Sequence, residues 1–285
     1  MIQHARFGRT DHLSSRLVFG AAALGGASSA ATDLALARIL DAGVNHIDVA
    51  SSYGRAEELL GPSLRGRRNR FFLATKTEKR TKVEAIAELE KSLRLLGTDH
   101  VDLWQMHRLV DEADWNAAMG EGGALEAFVD ARRRGLVRYL GVTGHGLNTA
   151  AMHLRSLDRF DFDSVLLPWN WSMAGNADYA ASFRALEALC RSKGVAMQLI
   201  KTVCRRPWGP RPQTRTTWYE PFVEPGDLSL ALGFAFAVEG AFVPSAGDLD
   251  LLPLILEAAA SAPPPPSDAE METLAARTEM EALFD

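Results

Sequence analysis

The run FFLATKTEKRTKVEAIAELEKSLRLLGTDHVDLWQM (71–106) carries the pattern on which the fold turns. FFLAT (71–75) is a short apolar run of strand type. Lys82 to Leu96 is strongly periodic at helical spacing and stops at Gly97, a residue suited to the left-handed turn after a helix. Val101 to Met106 is again a strand. Strand, helix and strand in this order make a parallel pair joined by a right-handed crossover.

The alternation continues outward in both directions. Upstream come a strand over 16–20, a Gly/Ala/Ser loop, a helix over 33–42, a strand over 45–49 and a short helix over 57–64. Downstream come helices over 123–134, 148–157, 179–192, 228–238 and 249–260. Strands over 137–142, 164–167, 195–200 and 241–243 separate them, with an irregular stretch at 202–225. Eight strand–helix units at this length predict a single (β/α)8 TIM barrel over residues 1–262. An open doubly wound sheet is the alternative at the level of fold. Residues 263–285 read as part of the same domain. Four prolines (263–266) form an extended spacer, and Ser267-Asp268-Ala269-Glu270 caps a last helix running to about Leu283.

Composition removes several classes of function. The chain has 285 residues, 47% of them hydrophobic and 24% charged, so it buries a large core and is not disordered. Its net charge of −5 lacks the basic surplus of a nucleic-acid binder. No run approaches the roughly 18 consecutive apolar residues of a membrane span. Cys190 and Cys204 are too few for a disulfide framework or a zinc cluster. With no apolar stretch in Met1–Arg9 to suggest a signal peptide, a reducing cytoplasm is the expected compartment.

In a parallel barrel, function gathers at the C-terminal ends of the strands. Four polar residues stand there on successive units: Asp48, Tyr53 in the loop after it, Lys76 and His107. Singly, each reads as a cap, a surface cover or a solvated side chain. Together they compose a proton donor for a carbonyl. A phenol with a pKa of about 10 is a weak acid at neutral pH, and a neighbouring ammonium is expected to lower that value. Lys76 supplies the ammonium, Asp48 pairs with it, and His107 orients the substrate oxygen.

These residues lie in segments that resemble the aldo-keto reductase family. The matching stretches are FGRT (7–10), DAGVNHIDVASSYGRAEELLG (41–61), ATK (74–76), SLRLLGTDHVDLWQMH (92–107) and GLVRYLGVT (135–143). The resemblance implies a (β/α)8 barrel and an oxidoreductase that reduces small-molecule aldehydes or ketones with NADPH. It places the catalytic tetrad on Asp48, Tyr53, Lys76 and His107. For the cofactor it points to Ala21 in the first loop, Thr143, Asn170, Lys201, Arg205 and Arg206 in the long loop, and Ser245, Gly247 and Asp248 after the last strand. Leu166 and Ile200 depart from the family's Gln and Tyr, and Gly144 from its Asn. Asp248 in place of a basic residue would favour NADH, whereas Arg205, Arg206, Arg211 and Arg215 would clamp cofactor phosphates.

Two other readings compete. A nucleotide-binding regulatory protein on the same barrel would explain the altered cofactor positions. A metal-dependent hydrolase would draw on His46, Asp48, Lys76, His107 and His145 on the barrel strands, but no His-x-His pair is present, so no metal site is expected. Trp169, Trp171, Trp208 and Trp218 are candidates to line an apolar pocket. Neither the substrate nor the oligomeric state is legible.

Overall fold

The computed structural model describes residues 1–284. A short antiparallel hairpin, β1 (His4–Arg6) and β2 (Leu13–Ser15), precedes the barrel. The barrel strands are β3 (Leu17–Gly20), β4 (His46–Asp48), β5 (Phe72–Thr77), β6 (Val101–Met106), β7 (Val137–Thr143), β8 (Ser164–Pro168) and β9 (Ala196–Ile200). After β9 the chain forms a second hairpin, β10 (Cys204–Pro207) and β11 (Tyr219–Pro221), and returns to the barrel in β12 (Ala241–Pro244). All barrel pairings are parallel, and β12 closes the ring between β9 and β3 through Ala241 opposite Met197 and Val243 opposite Leu17. The chain is therefore a closed (β/α)8 barrel with a C-terminal extra helix.

Burial on both faces explains why these strands read as apolar runs rather than alternations. Outside the ring, Ile47, Val49, Leu73, Val101 and Val165 pack against the helices. Inside it, Phe7 from the β1–β2 turn packs at a tilt against Phe72 and Phe242, with ring centres 5.4 and 4.8 Å apart, and plugs the N-terminal end. His46 belongs to this plug. It meets the Phe7 ring edge-on, bonds Ser14 through Nδ1 and lies at the opposite end of the barrel from the candidate chemistry.

Helix boundaries follow capping chemistry. Thr81 accepts from the Glu84 amide to start the helix Lys82–Leu96, and Gly97 ends it at φ 63°. Such a cap contributes about 1 kcal/mol. Two helices lie beyond the sequence reading: Glu112–Met119, capped by the Asp111 side chain, and the single turn Trp171–Ala174. The proline spacer runs against the helix Pro225–Phe236. There a Cβ on Gly233 would lie 2.5 Å from the Pro264 carbonyl, so only glycine admits this approach. A Ser267–Glu270 capping box then opens the helix Asp268–Thr278. That helix stops short of Leu283, because Glu279 turns left-handed at φ 51° and the chain crosses to the β10–β11 hairpin. Among the described residues, no helix is long and apolar enough to cross a membrane.

Candidate active site

The ends of β4, β5, β6 and β9 deliver one continuous buried network. Gln198 Nε2 donates to Gln105 Oε1 (3.0 Å), and Gln105 Nε2 donates to Asp48 Oδ1 (2.9 Å). Lys76 Nζ donates to Asp48 Oδ2 (2.5 Å) and to the Val49 carbonyl (3.0 Å). The Lys76 and Asp48 side chains are 1% and 4% exposed, so each charge relies on the other and on these hydrogen bonds. Burial works against the Lys76 ammonium, but Asp48 and then Tyr53 outweigh it, and its pKa lies above the ordinary value.

Tyr53 is half-buried on the loop after β4, with its ring centre 4.8 Å from Lys76 Nζ and edge-on to His107 at 5.7 Å. Gly54 fixes this loop. At φ 55° it passes so close to Gly25 that a Cβ would lie 2.7 Å from the Gly25 carbonyl, which accepts from Arg55 N. The phenol pKa is raised, not lowered as the sequence suggests. Burial is the larger effect, and the opposing pull of Lys76 is countered by Asp48.

His107 follows β6, and its amide donates to the Thr77 carbonyl at 2.8 Å. Its Nδ1 lies 3.2 Å from the Ser52 hydroxyl and 3.2 Å from a Glu78 carboxylate oxygen. Burial and then Lys76 hold its pKa down at about 2, so the imidazole is neutral. His145, two residues past β7, stands beside it with ring centres 6.2 Å apart. His145 is also neutral, with a pKa lowered to about 3 by burial and then by Lys201.

Asp48, Tyr53, Lys76, His107 and His145 share the wall of a cavity of about 730 Å³. Its other walls are mixed: apolar at Leu166, Ile200, Trp218 and Phe284, charged at Glu78 and Arg108, and built in part on the loop after β12 at Ser245 and Gly247. Lys201 lies between. Its backbone is left-handed at φ 64°, and its ammonium sits 4.8 Å from the Trp218 ring centre and 5.2 Å from that of Tyr219. Burial lowers its pKa to about 8.

Three of the nine residues expected at the cofactor, Lys201, Ser245 and Gly247, line this cavity. Ala21 is buried at the start of a 3-10 turn, and Gly20 and Ala22 reach the cavity instead. Thr143 is buried, and its hydroxyl accepts from the Arg108 amide. Asn170 caps the turn Trp171–Ala174 and donates to the Lys201 carbonyl at 2.9 Å, so it acts on the site through Lys201.

Arg205 and Arg206 face away from the cavity. Arg205 pairs with Glu220 at 2.8 Å and donates to the Thr278 carbonyl; Arg206 bridges Glu220 and Glu279, both at 2.8 Å. Arg211 meets Glu281 at 3.2 Å, and Arg215 lies 3.8 Å from Asp250. These arginines therefore tie the hairpin to its carboxylate neighbours rather than standing free for phosphates. Asp248 is likewise consumed. One oxygen accepts from the Asp250 and Leu251 amides, and the other accepts from the amide and hydroxyl of Thr216. Three amides donate to this carboxylate, and the Thr216 hydroxyl divides its one proton between it and the Gly247 carbonyl, so little acceptor capacity is left for a ribose hydroxyl.

The four tryptophans scatter. Trp218 enters the cavity, Trp169 and Trp171 line an outer groove with Phe183 and Phe234, and Trp208 donates to the Thr217 carbonyl. Among the described residues, no three His, Cys, Asp or Glu side chains come together as metal ligands.

The sequence pattern of the Aldo/keto reductase family matches residues 16–203. The Bacillus subtilis oxidoreductase YqkF is 29% identical over 154 residues, covering 48% of this chain and 47% of that protein. The Bacillus subtilis aldo-keto reductase YhdN is 33% identical over 113 residues, covering 33% and 34%. The chain thus spans about a third to a half of the length of these curated relatives. Among solved structures, the Pseudomonas aeruginosa protein PA4992 superposes with a TM-score of 0.72 at 20% identity over 91% of this chain and 95% of that one. The holo form of a Bacillus halodurans aldo-keto reductase superposes at 0.70 with 21% identity over 100% and 99%. At such identities the structural likeness speaks for the fold. With the sequence pattern spanning 188 of the 285 residues, the chain belongs to the aldo/keto reductase family.

Proposed function

We propose that the chain reduces aldehydes or ketones to alcohols with a nicotinamide dinucleotide, and that Tyr53 is the proton donor. The observation that carries this reading is a phenol 4.8 Å from a buried, carboxylate-paired ammonium at the wall of a 730 Å³ cavity. A raised pKa keeps the Tyr53 proton in place at neutral pH, ready for a carbonyl oxygen that gains negative charge. Lys76 is the nearest cation to the phenolate left behind, so it acts in the transition state more than in the resting site. Asp48 keeps Lys76 charged and, with Gln105, fixes its direction. His107 is neutral, has its Nδ1 within 3.2 Å of both the Ser52 hydroxyl and a Glu78 carboxylate oxygen, and stands edge-on to Tyr53 beside the place a carbonyl would take.

The cavity suits the cofactor. Lys201 has no carboxylate partner among the described residues and would meet the pyrophosphate, while Leu166 and Ile200 offer an apolar platform to the nicotinamide. When bound, the reduced dinucleotide supplies a hydride to the carbonyl carbon. Because neutral backbone and hydroxyl donors engage the buried Asp248 carboxylate, its charge is partly offset by hydrogen bonds, which supports NADPH alongside NADH. Fluorescence titration with each nucleotide, followed by carbonyl-dependent oxidation of the one that binds, tests the reading. Tight binding and turnover are expected; binding of neither nucleotide overturns it.

A further inference from the structure

A cavity of about 680 Å³ opens at the end of the barrel opposite the candidate chemistry. Asn45 stands just before β4, Phe72 begins β5, and Asp102 and Arg138 are the second residues of β6 and β7, so its walls are the N-terminal ends of the strands. The loop before β5 carries the run RGRRNR (65–70), from which Arg68, Asn69 and Arg70 reach the cavity. This basic run stands out in a chain whose net charge is −5.

Cations outnumber carboxylates on this wall. Arg68, Arg70 and Arg138 share one acid, Asp102, which leaves two positive charges uncompensated. Asp102 Oδ2 accepts from Arg68 and from the Leu73 amide, both at 2.9 Å, and Oδ1 accepts from one nitrogen of Arg138 at 3.2 Å. Arg68 also donates to the Phe71 and His100 carbonyls at 2.8 and 3.1 Å, so it is fixed in place. Arg70 is exposed and has no carboxylate partner among the described residues. The hairpin arginines differ: Arg205 and Arg206 each meet a glutamate at 2.8 Å.

The hydrogen-bond balance points the same way. Arg68 Nε and His12 Nε2 are buried without a partner, and the His12 ring is stacked on Phe72 with centres 4.6 Å apart. The wall is thus rich in donors and short of acceptors and of negative charge, and a phosphate supplies both. We propose that this cavity is an anion site for an oligophosphate chain, either free or as the tail of a nucleotide. Arg70 and the unengaged edge of the Arg138 guanidinium contact the phosphate oxygens, Asn69 and His100 add neutral donors, and Arg68, anchored by Asp102, contributes a fixed positive charge. The volume is that of a small-molecule site and exceeds what one phosphate group fills.

Calorimetric titration of the full chain with inorganic tripolyphosphate, in about 0.15 M salt to screen loose surface attraction, tests the site. Saturable binding is expected. Arg70→Gln and Arg138→Gln should each weaken it about ten-fold, as for one lost charge-assisted hydrogen bond. Arg133→Gln removes the same charge from an 81%-exposed side chain elsewhere and should change it less than about two-fold. Lys201→Met, in the other cavity, should leave it in place. Equal losses in Arg133→Gln and Arg70→Gln overturn the proposal, because the attraction is then one of net charge. So does loss of binding in Lys201→Met with none in Arg70→Gln, which assigns the phosphates to the cavity at the other end. Adenosine triphosphate in the same series separates the two sources. Tighter binding than tripolyphosphate supports a nucleotide tail, equal or weaker binding supports a free oligophosphate, and binding of neither overturns the site. Arg70 carries no ion pair among the described residues, so Arg70→Gln decides alone if Arg138→Gln does not fold.

Discussion

Asp48→Asn puts the buried pair to the test. Both carboxylate oxygens accept from donors, one from Lys76 and one from Gln105. An amide has a single acceptor oxygen, so in either orientation its NH2 faces one of those donors. The 1%-exposed ammonium also loses the carboxylate that pairs with it. Removing one partner of a buried pair costs about 3–5 kcal/mol. At about 2–4 °C per kcal/mol for a chain of this size, the thermal midpoint should fall by roughly 6–20 °C at pH 6.

The pH dependence has a definite sign. In the wild type the folded pKa of Lys76 is raised above its ordinary 10.5, so the pair's contribution is fully present below that value and fades as pH rises through the higher folded one. In the variant, burial is no longer opposed by Asp48, its largest counterweight, and the folded pKa falls. The unfolded chain then binds more protons, and stability rises with pH. The deficit against the wild type should therefore shrink from pH 6 to pH 9. Circular dichroism melts at both values measure it. A midpoint within about 2 °C of wild type at pH 6, or a deficit that grows with pH, refutes the pairing argument.

Lys201 should make nucleotide affinity pH-dependent: charged below a pKa of about 8, it attracts the pyrophosphate, and affinity should weaken as pH rises through that value. Titrations between pH 7 and 9 should show the slope in the wild type and lose it in Lys201→Met. Arg206→Ala should loosen the segment after Thr278, seen as faster amide exchange over residues 279–284, because Arg206 bridges Glu220 to Glu279. Nucleotide affinity should change less than about two-fold in that variant; a drop of ten-fold or more would make Arg206 a phosphate contact after all.

The barrel was legible because its strands are buried on both faces and each following helix carries its own stop, as Gly97 and Gly194 do at φ 63° and 65°. The β1–β2 hairpin was not. HAR and LSS are short and polar, and Phe7, the residue that makes the hairpin matter, sits in its turn. The β10–β11 hairpin escaped for a related reason. CRRP and YEP hold no alternation, and cross-strand pairs of Arg205 and Arg206 with Glu220 support them. At the site, the direction of a strand predicts which end a side chain occupies, and that sufficed to bring Asp48, Lys76 and His107 together. The arginines could not be placed this way, because Arg206 meets Glu279, a partner 73 residues away. Asp248 misled because a carboxylate beside a helix start is also a cap, and its sequence neighbours do not reveal Thr216 arriving from the hairpin. The sign of the Tyr53 shift depended on burial, which residue types alone do not give.

The most direct test of the account is Tyr53→Phe, which removes one hydroxyl and keeps the ring over Lys76. Nucleotide binding should stay within about two-fold, while carbonyl reduction should fall by at least about a hundred-fold, the range of a lost general acid. Turnover at the wild-type rate in that variant would contradict the central claim that the Tyr53 phenol delivers the proton.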